Sequence, residues 1–138
     1  LDINPAGVGA AEQIAARNHL PQVTARVSNL FSAVDAVPQF DVIISSPPSF
    51  SGEPRCIADR AWHAGPGYRD IAPLFTQAAE RLRPDGVMYL LLSSDTNLPL
   101  FAHLIDAAGF TSEGIATQSI WVEAFHLYAL RRKTAVGP

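Results

Sequence analysis

The chain has 138 residues, of which 48% are hydrophobic and 17% charged; by length that is one domain, with ample apolar content for a packed core. A formal net charge of −3 excludes a chain-wide basic footprint for holding nucleic acid phosphates and leaves only a local patch for that purpose. The single Cys56 can make neither an internal disulfide nor a thiolate metal cluster, which points to a reducing, cytoplasmic setting. The longest apolar run, Val87 to Leu92, falls far short of the roughly 20 residues that span a bilayer, so no membrane segment is expected.

Leu1 to Asn4 reads as the end of a buried strand followed by a helix cap, with Asn4 capping and Pro5 in the first turn. Through Asn18 the apolar residues Val8, Ala11, Ile14 and Ala15 recur at helical spacing. Asn18-His19 ends that helix and Pro21 prevents its continuation. Val23, Ala25 and Val27 then alternate with polar residues, which predicts a strand. Ser32 to Gln39 is a connector or a short helix.

Phe40 to Phe50 organises the rest. Val42, Ile43 and Ile44 form an unbroken, largely β-branched run, the pattern of a strand buried on both faces of a parallel sheet. Pro47 and Pro48 supply no backbone donors and fix their own φ, so the strand stops and Ser46 to Phe50 becomes a stiff loop. That loop lies just past the strand's C-terminal end, the edge at which open α/β sheets bind ligands. Ser51 to Gly67, with Gly52, Pro54, Gly65, Pro66 and Gly67, is longer than a compact domain keeps without a use, which suggests a lid or a recognition element.

Ile71, Leu74, Phe75, Ala78, Ala79 and Leu82 form one helical stripe over Asp70 to Leu82, with Arg81 and Arg83 suiting its negative C-terminal end. Pro84-Asp85-Gly86 turns the chain into a second apolar strand, Val87 to Ser93. Leu98 to Ala108 is a helix stopped by Gly109. Phe110 to Thr117 is a strand, Gln118-Ser119 a turn, and Trp121 to Arg131 a last strand pairing antiparallel with its neighbour. Lys133 to Pro138 is expected to fray.

Asp41 to Phe50 resembles the strand-plus-loop motif of class I S-adenosylmethionine-dependent methyltransferases, which in the amino-methylating branch reads Asp-x-Ile-x-x-Asn-Pro-Pro-Tyr. Leu1-Asp2-Ile3-Asn4-Pro5 resembles the acidic loop after that family's second strand, and Ser28-Asn29-Leu30-Phe31 the loop after its third. Trp62-His63-Ala64-Gly65-Pro66-Gly67 is similar to the Trp-x-Gly-Gly-x-Gly stretch of release-factor glutamine methyltransferases, short of one glycine. Leu82-x-Pro84-x-Gly86 also follows the family pattern.

The resemblance implies a three-layer, Rossmann-like α/β sheet, mostly parallel with an antiparallel last strand, in the order third, second, first, fourth, fifth, seventh, sixth. Residues 1–138 would then be the C-terminal portion of a single methyltransferase domain, with the family's first strand and glycine-rich loop absent. Two unpaired strand edges would follow, closed by each other, by an upstream piece, or by a second copy in a homodimer.

By the same resemblance the cofactor is S-adenosylmethionine. Asp2 and Ile3 would meet its ribose, Asp2 by accepting hydroxyl hydrogen bonds. Asn29 would accept from the adenine amino group through its amide oxygen, and Leu30 would give apolar contact. Ser46, Pro47, Pro48 and Ser49 form the candidate catalytic loop, with Ser46 also near the cofactor. In the relatives an Asn side chain and the first proline's carbonyl hold the target amino group, and an aromatic residue stacks on the substrate; positioning carries most of such a rate. Ser46 stands for that Asn and Ser49 for the aromatic, so the long acceptor shortens and the stacking surface is lost unless Phe50 supplies it.

Phe50, Trp62 and His63 are the candidate substrate contacts, with His63 the available general base closest to neutral pKa. No residue pattern suggests a metal. Read without the resemblance, Asp2 and Asn4 are helix caps, Leu30 and Phe31 are core, and His63, Asp59 and Glu53 are solvated loop groups. The acceptor stays open among protein, nucleic acid base and small molecule, and the two serines equally suit a catalytically inert interaction or dimerisation module. A nicotinamide-dependent Rossmann enzyme is disfavoured by the double-proline loop and the paired final strands.

Overall fold

A computed structural model of the chain describes residues 1–133. Three helices, α1 (Pro5–Arg17), α2 (Leu74–Arg81) and α3 (Leu98–Ala107), accompany four strands, β1 (Phe40–Ser45), β2 (Leu82–Ser93), β3 (Phe110–Ile120) and β4 (Glu123–Arg132). The strands form one sheet in the order β1-β2-β4-β3. This is the order expected for the family's fourth, fifth, seventh and sixth strands. β1 and β2 run parallel, while β4 pairs antiparallel with β2 and with β3. The α/β class is as expected, with parallel pairing confined to β1 and β2.

The helix ends follow their capping residues. Asn4 accepts from the Ala6 N–H at the start of α1, and the Asn18 side chain donates to the Ile14 carbonyl at its end. Asn97 accepts from Leu100 N–H to cap α3, and Gly109 closes that helix at φ 82°, a left-handed conformation that costs glycine little. α2 begins at Leu74 rather than Asp70, because Pro73 disfavours helical φ/ψ at the residue before it. The expected turn at Pro84-Asp85-Gly86 is a wide bulge inside β2: from Phe40↔Leu82 to Val42↔Val87 the first strand advances two residues and the second five. The final hairpin turns at Trp121-Val122, not Gln118-Ser119, because β3 stays paired to β4 through Ile120↔Glu123.

One face of the sheet holds the core. Ile43, Met88, Leu90, Leu92 and Leu130 meet Phe75 of α2, Phe101 and Ile105 of α3, and Phe110, all buried. Phe101 is the hub, with Tyr68 and Phe75 each edge-on to its ring at 5.2 and 5.9 Å, a favoured aromatic geometry. The opposite face is more open. Val42 and Ile44 are 49% and 80% exposed, and Leu91, Ala116, Phe125 and Leu127 line a shallow apolar groove.

Two strand expectations change accordingly. β1 is not buried on both faces: only Ile43 is covered, and its edge away from β2 has no partner among the described strands. Val23 to Val27 is not a strand but a single parallel bridge, Asp2↔Val27, with Asp2 N–H bonded to the Arg26 carbonyl and Ser28 N–H to the Asp2 carbonyl. Alternation suits a strand only where a neighbouring ladder exists, and here only one residue offers one. Of the tail, Lys133 donates its N–H to the Gly109 carbonyl and its ammonium to Asp106; residues 134–138 lie outside the described residues. Among the described residues no helix is long and apolar enough to cross a membrane.

Candidate functional site

A cavity of about 550 Å³ opens between the Leu1–Asn4 segment and the free edge of β1, a size typical of small-molecule sites. Three loops converge on it: Asp2, Ile3 and Asn4; Ser28, Leu30 and Phe31; and Ser45, Ser46 and Pro48 at the end of β1. Ile57, Ala58, Arg60 and Ala61, from a 3₁₀ turn at Ala58–Ala61 in the long loop, form a further wall.

Each loop is held by identifiable contacts. The Asp2 carboxylate accepts from Asn4 N–H through one oxygen at 2.8 Å, and its other oxygen takes no hydrogen bond among the described residues. Asp2 is therefore both part of the α1 cap and an open acceptor at the cavity. The buried Ser28 hydroxyl donates to the Leu30 carbonyl at 2.8 Å and accepts from Ala33 N–H. Leu30 sits at φ 52°, a costly conformation for a branched side chain, which this hydrogen bonding maintains. Gln77 accepts from Phe31 N–H, and the buried Arg81 guanidinium donates twice to the Val34 carbonyl, at 3.2 and 3.1 Å, and once to Gln77. These bonds tie the Ser28–Val34 loop to α2, and Arg81 also lies 5.4 Å from the Phe31 ring centroid.

The double-proline loop is pinned at its far end. The buried Tyr68 donates its hydroxyl to the Ser49 carbonyl at 2.8 Å and accepts from Asn97 N–H at 3.1 Å. Phe50 N–H bonds to the Trp62 carbonyl and Ala64 N–H to the Phe50 carbonyl, so the start of the long loop lies alongside Trp62–Ala64. An ionic cluster fixes the remainder: Arg55 with Asp59, and Arg69 with both Asp70 and Glu53. The Arg55 N–H, then its guanidinium, holds the Asp59 carboxyl below its ordinary value. Arg69 does the same to Asp70, with Arg60 contributing at longer range.

The sequence-derived candidates therefore divide. Asp2, Ile3, Leu30, Ser46 and Pro48 line the cavity; Asn29, Pro47, Ser49, Phe50, Trp62 and His63 do not. Asn29 N–H bonds to the Ser32 hydroxyl, and Trp62 points outward, 63% exposed. Phe50 faces His63 with ring centroids 6.0 Å apart, so its ring does not replace a stacking aromatic at the cavity. His63 Nδ1 is buried without a hydrogen bond and lies 3.5 Å from Asp59 Oδ1. Arg60, Ser28 and Tyr68 were not singled out from the sequence. The first lies in a loop that gave no periodic signal, Tyr68 acts through hydrogen bonds to residues far along the chain, and Ser28 orders its own loop through bonds to Leu30 and Ala33 that follow no periodicity. No group of His, Cys, Asp and Glu able to hold a metal ion occurs among the described residues.

No family model and no curated protein matches the chain. Several solved structures share its fold, among them the following two. One, described as ribosomal protein L11 methylase from Lactobacillus delbrueckii subsp. bulgaricus, superposes with a TM-score of 0.65 at 19% identity, over 96% of this chain and 55% of that one. The other, described as precorrin-6y C5,15-methyltransferase from Geobacter metallireducens GS-15, gives 0.60 at 13% identity, over 94% and 64%. The chain thus spans between about half and two thirds of the length of these neighbours, and what it has in common with both is the methyltransferase-like Rossmann fold.

Proposed function

We propose that this chain belongs to an enzyme that transfers a methyl group from S-adenosylmethionine to an acceptor, and that the cofactor site within the chain is incomplete. The carrying observation is the convergence of Asp2–Asn4, Ser28–Phe31 and Ser45–Pro48 on one cavity, in a fold whose solved neighbours are described as methylases. The residues fit such a cofactor in part. Asp2 keeps a free carboxylate oxygen for a ribose hydroxyl, and Ile3, Leu30 and Phe31 offer apolar surface for a base. The open edge of β1 leaves the cavity floor unpaired, which is the sense in which the site is incomplete.

The bound cofactor supplies an electrophilic methyl group on a sulfonium. The chain's own part is positioning: Ser46 and the stiff Pro47-Pro48 loop orient the acceptor atom, and the 3₁₀ turn restricts water. Ser46 offers a hydroxyl that donates as well as accepts, which suits an acceptor other than a simple amine. Protein, nucleic acid base and small molecule all stay within the proposal, and the reaction site is that of a single domain resembling the release-factor glutamine methyltransferases.

Titration of S-adenosylmethionine and S-adenosylhomocysteine into residues 1–138, read by calorimetry and by amide shifts, tests this. Weak saturable binding that moves the amides of Asp2–Asn4 and Ser28–Phe31, and is lost in Asp2→Ala, is expected. Absence of any such shift at millimolar cofactor refutes it. The bare edge of β1, with Ile44 80% exposed, favours a second reading, an inert module that dimerises edge to edge. A dimeric mass in solution without cofactor binding would support that reading instead.

A further inference from the structure

Two of the residues lining the cavity carry charged side chains, Asp2 and Arg60. Arg60 is two-thirds buried, its side chain 32% exposed, yet its guanidinium makes no hydrogen bond among the described residues. Its one ionic neighbour is Asp70 Oδ2 at 3.6 Å, beyond good hydrogen-bond length. Arg69 bonds the other Asp70 oxygen at 2.8 Å, while the Oδ2 that faces Arg60 is buried and takes no hydrogen bond, so the two groups stand close without bonding. The remaining loop carboxylates are spoken for, Asp59 by Arg55 and Glu53 by Arg69.

Arg60 shares the cavity lining with Ile57, Ala61 and Pro48, and its five fixed N–H donors are bonded to no protein group among the described residues, so they stay available to a ligand in the cavity. The planar fork matches a carboxylate or phosphate through two parallel hydrogen bonds. The hydroxyls of Ser45 and Ser46 line the same cavity and are likewise unbonded among the described residues, so neutral donors flank the cation. Asp2, at the loop preceding α1, repels an anion. The cavity is therefore polarised, with a hydroxyl-accepting side at Asp2 and an anion-accepting side at Arg60.

We infer that Arg60 is the anchor for a carboxylate or phosphate group of the ligand that fills this cavity. The anion has two sources: the amino acid carboxylate of the cofactor, or an acidic group on the methyl acceptor. The anion site itself does not depend on the methyl-transfer reading; only the choice between sources does.

The test follows the Arg60 Nε–Hε resonance and the amides of Ala58 to Ala61 by NMR. Sodium acetate and sodium phosphate are titrated against sodium chloride at matched ionic strength, in the wild-type chain, Arg60→Met and Arg60→Lys. A saturable shift beyond that of chloride, absent in Arg60→Met and partly restored in Arg60→Lys, is expected. Wild-type shifts no larger than with chloride, or unchanged shifts at the neighbouring amides in Arg60→Met, overturn the inference. Repeating the titration with S-adenosylhomocysteine present distinguishes the sources. If it abolishes the acetate response, the cofactor supplies the anion, and its affinity falls about tenfold in Arg60→Met while that of 5′-methylthioadenosine, which lacks the amino acid end, does not change. If the acetate response persists beside bound nucleoside, the acceptor supplies it. Acetate binding with no response to either nucleoside leaves the anion site standing and removes the methyl-transfer reading.

Discussion

Tyr68→Phe removes a single oxygen, and the structure gives that oxygen two partners in separate segments: the Ser49 carbonyl at 2.8 Å and the Asn97 N–H at 3.1 Å. The ring keeps its edge-on contact with Phe101, so packing is preserved and the change isolates the hydrogen bonds. Each is worth about 1 kcal/mol net, and half-exposed Ser49 and exposed Asn97 can regain water, which places the loss at about 1–2 kcal/mol. In urea that lowers the unfolding midpoint by about 0.5–1 M. The same bond tethers the double-proline loop to the start of α3, so amide exchange at Phe50, bonded to the Trp62 carbonyl, should quicken more than exchange at Met88 in the sheet centre. A midpoint shift below about 0.2 M, or equal quickening at both amides, would show that the hydroxyl is not what holds this loop.

Gly86→Ala puts a Cβ 2.7 and 2.8 Å from Leu82 side-chain atoms and 3.0 Å from the Asp41 carbonyl oxygen; because backbone as well as side chain must yield, it should cost about 1–3 kcal/mol in denaturant unfolding. Trp121→Gly, at a fully exposed turn position with φ 47°, should instead stabilise by about 0.5–1 kcal/mol, since only glycine adopts that conformation freely; an unchanged midpoint would count against the hairpin turn described. The Asp106 carboxyl lies below its ordinary value of 3.8 because Lys133 bonds to it. A carboxyl whose folded pKa is lowered contributes stability above its unfolded pKa and loses it as pH falls through the folded one. Urea midpoints of the wild type should therefore fall more steeply below about pH 4 than those of Asp106→Asn, by a small margin because the pair is exposed. Parallel curves would remove the pair from the acid transition.

What the sequence determined by itself was local: helix ends at Asn4, Asn97 and Gly109, where capping chemistry acts over two or three residues, the strand-stopping prolines at Pro47 and Pro48, and the apolar run of β2. The strand order was anticipated only through the family resemblance that the loop motifs carry, and Asp2, Leu30 and Ser46, marked by the same motifs, line one cavity. Tertiary structure decided what depends on partners far along the chain. Val23 to Val27 alternates like a strand but finds only Asp2 to pair with, and β1 has the composition of a doubly buried strand yet is covered on one face. Arg60 became a candidate because it lines the cavity and stands 3.6 Å from Asp70 Oδ2, short of a hydrogen bond, and Tyr68 because its hydroxyl spans two loops. Charge pairing and burial are properties of neighbours brought together by folding, and no periodicity within the chain encodes them.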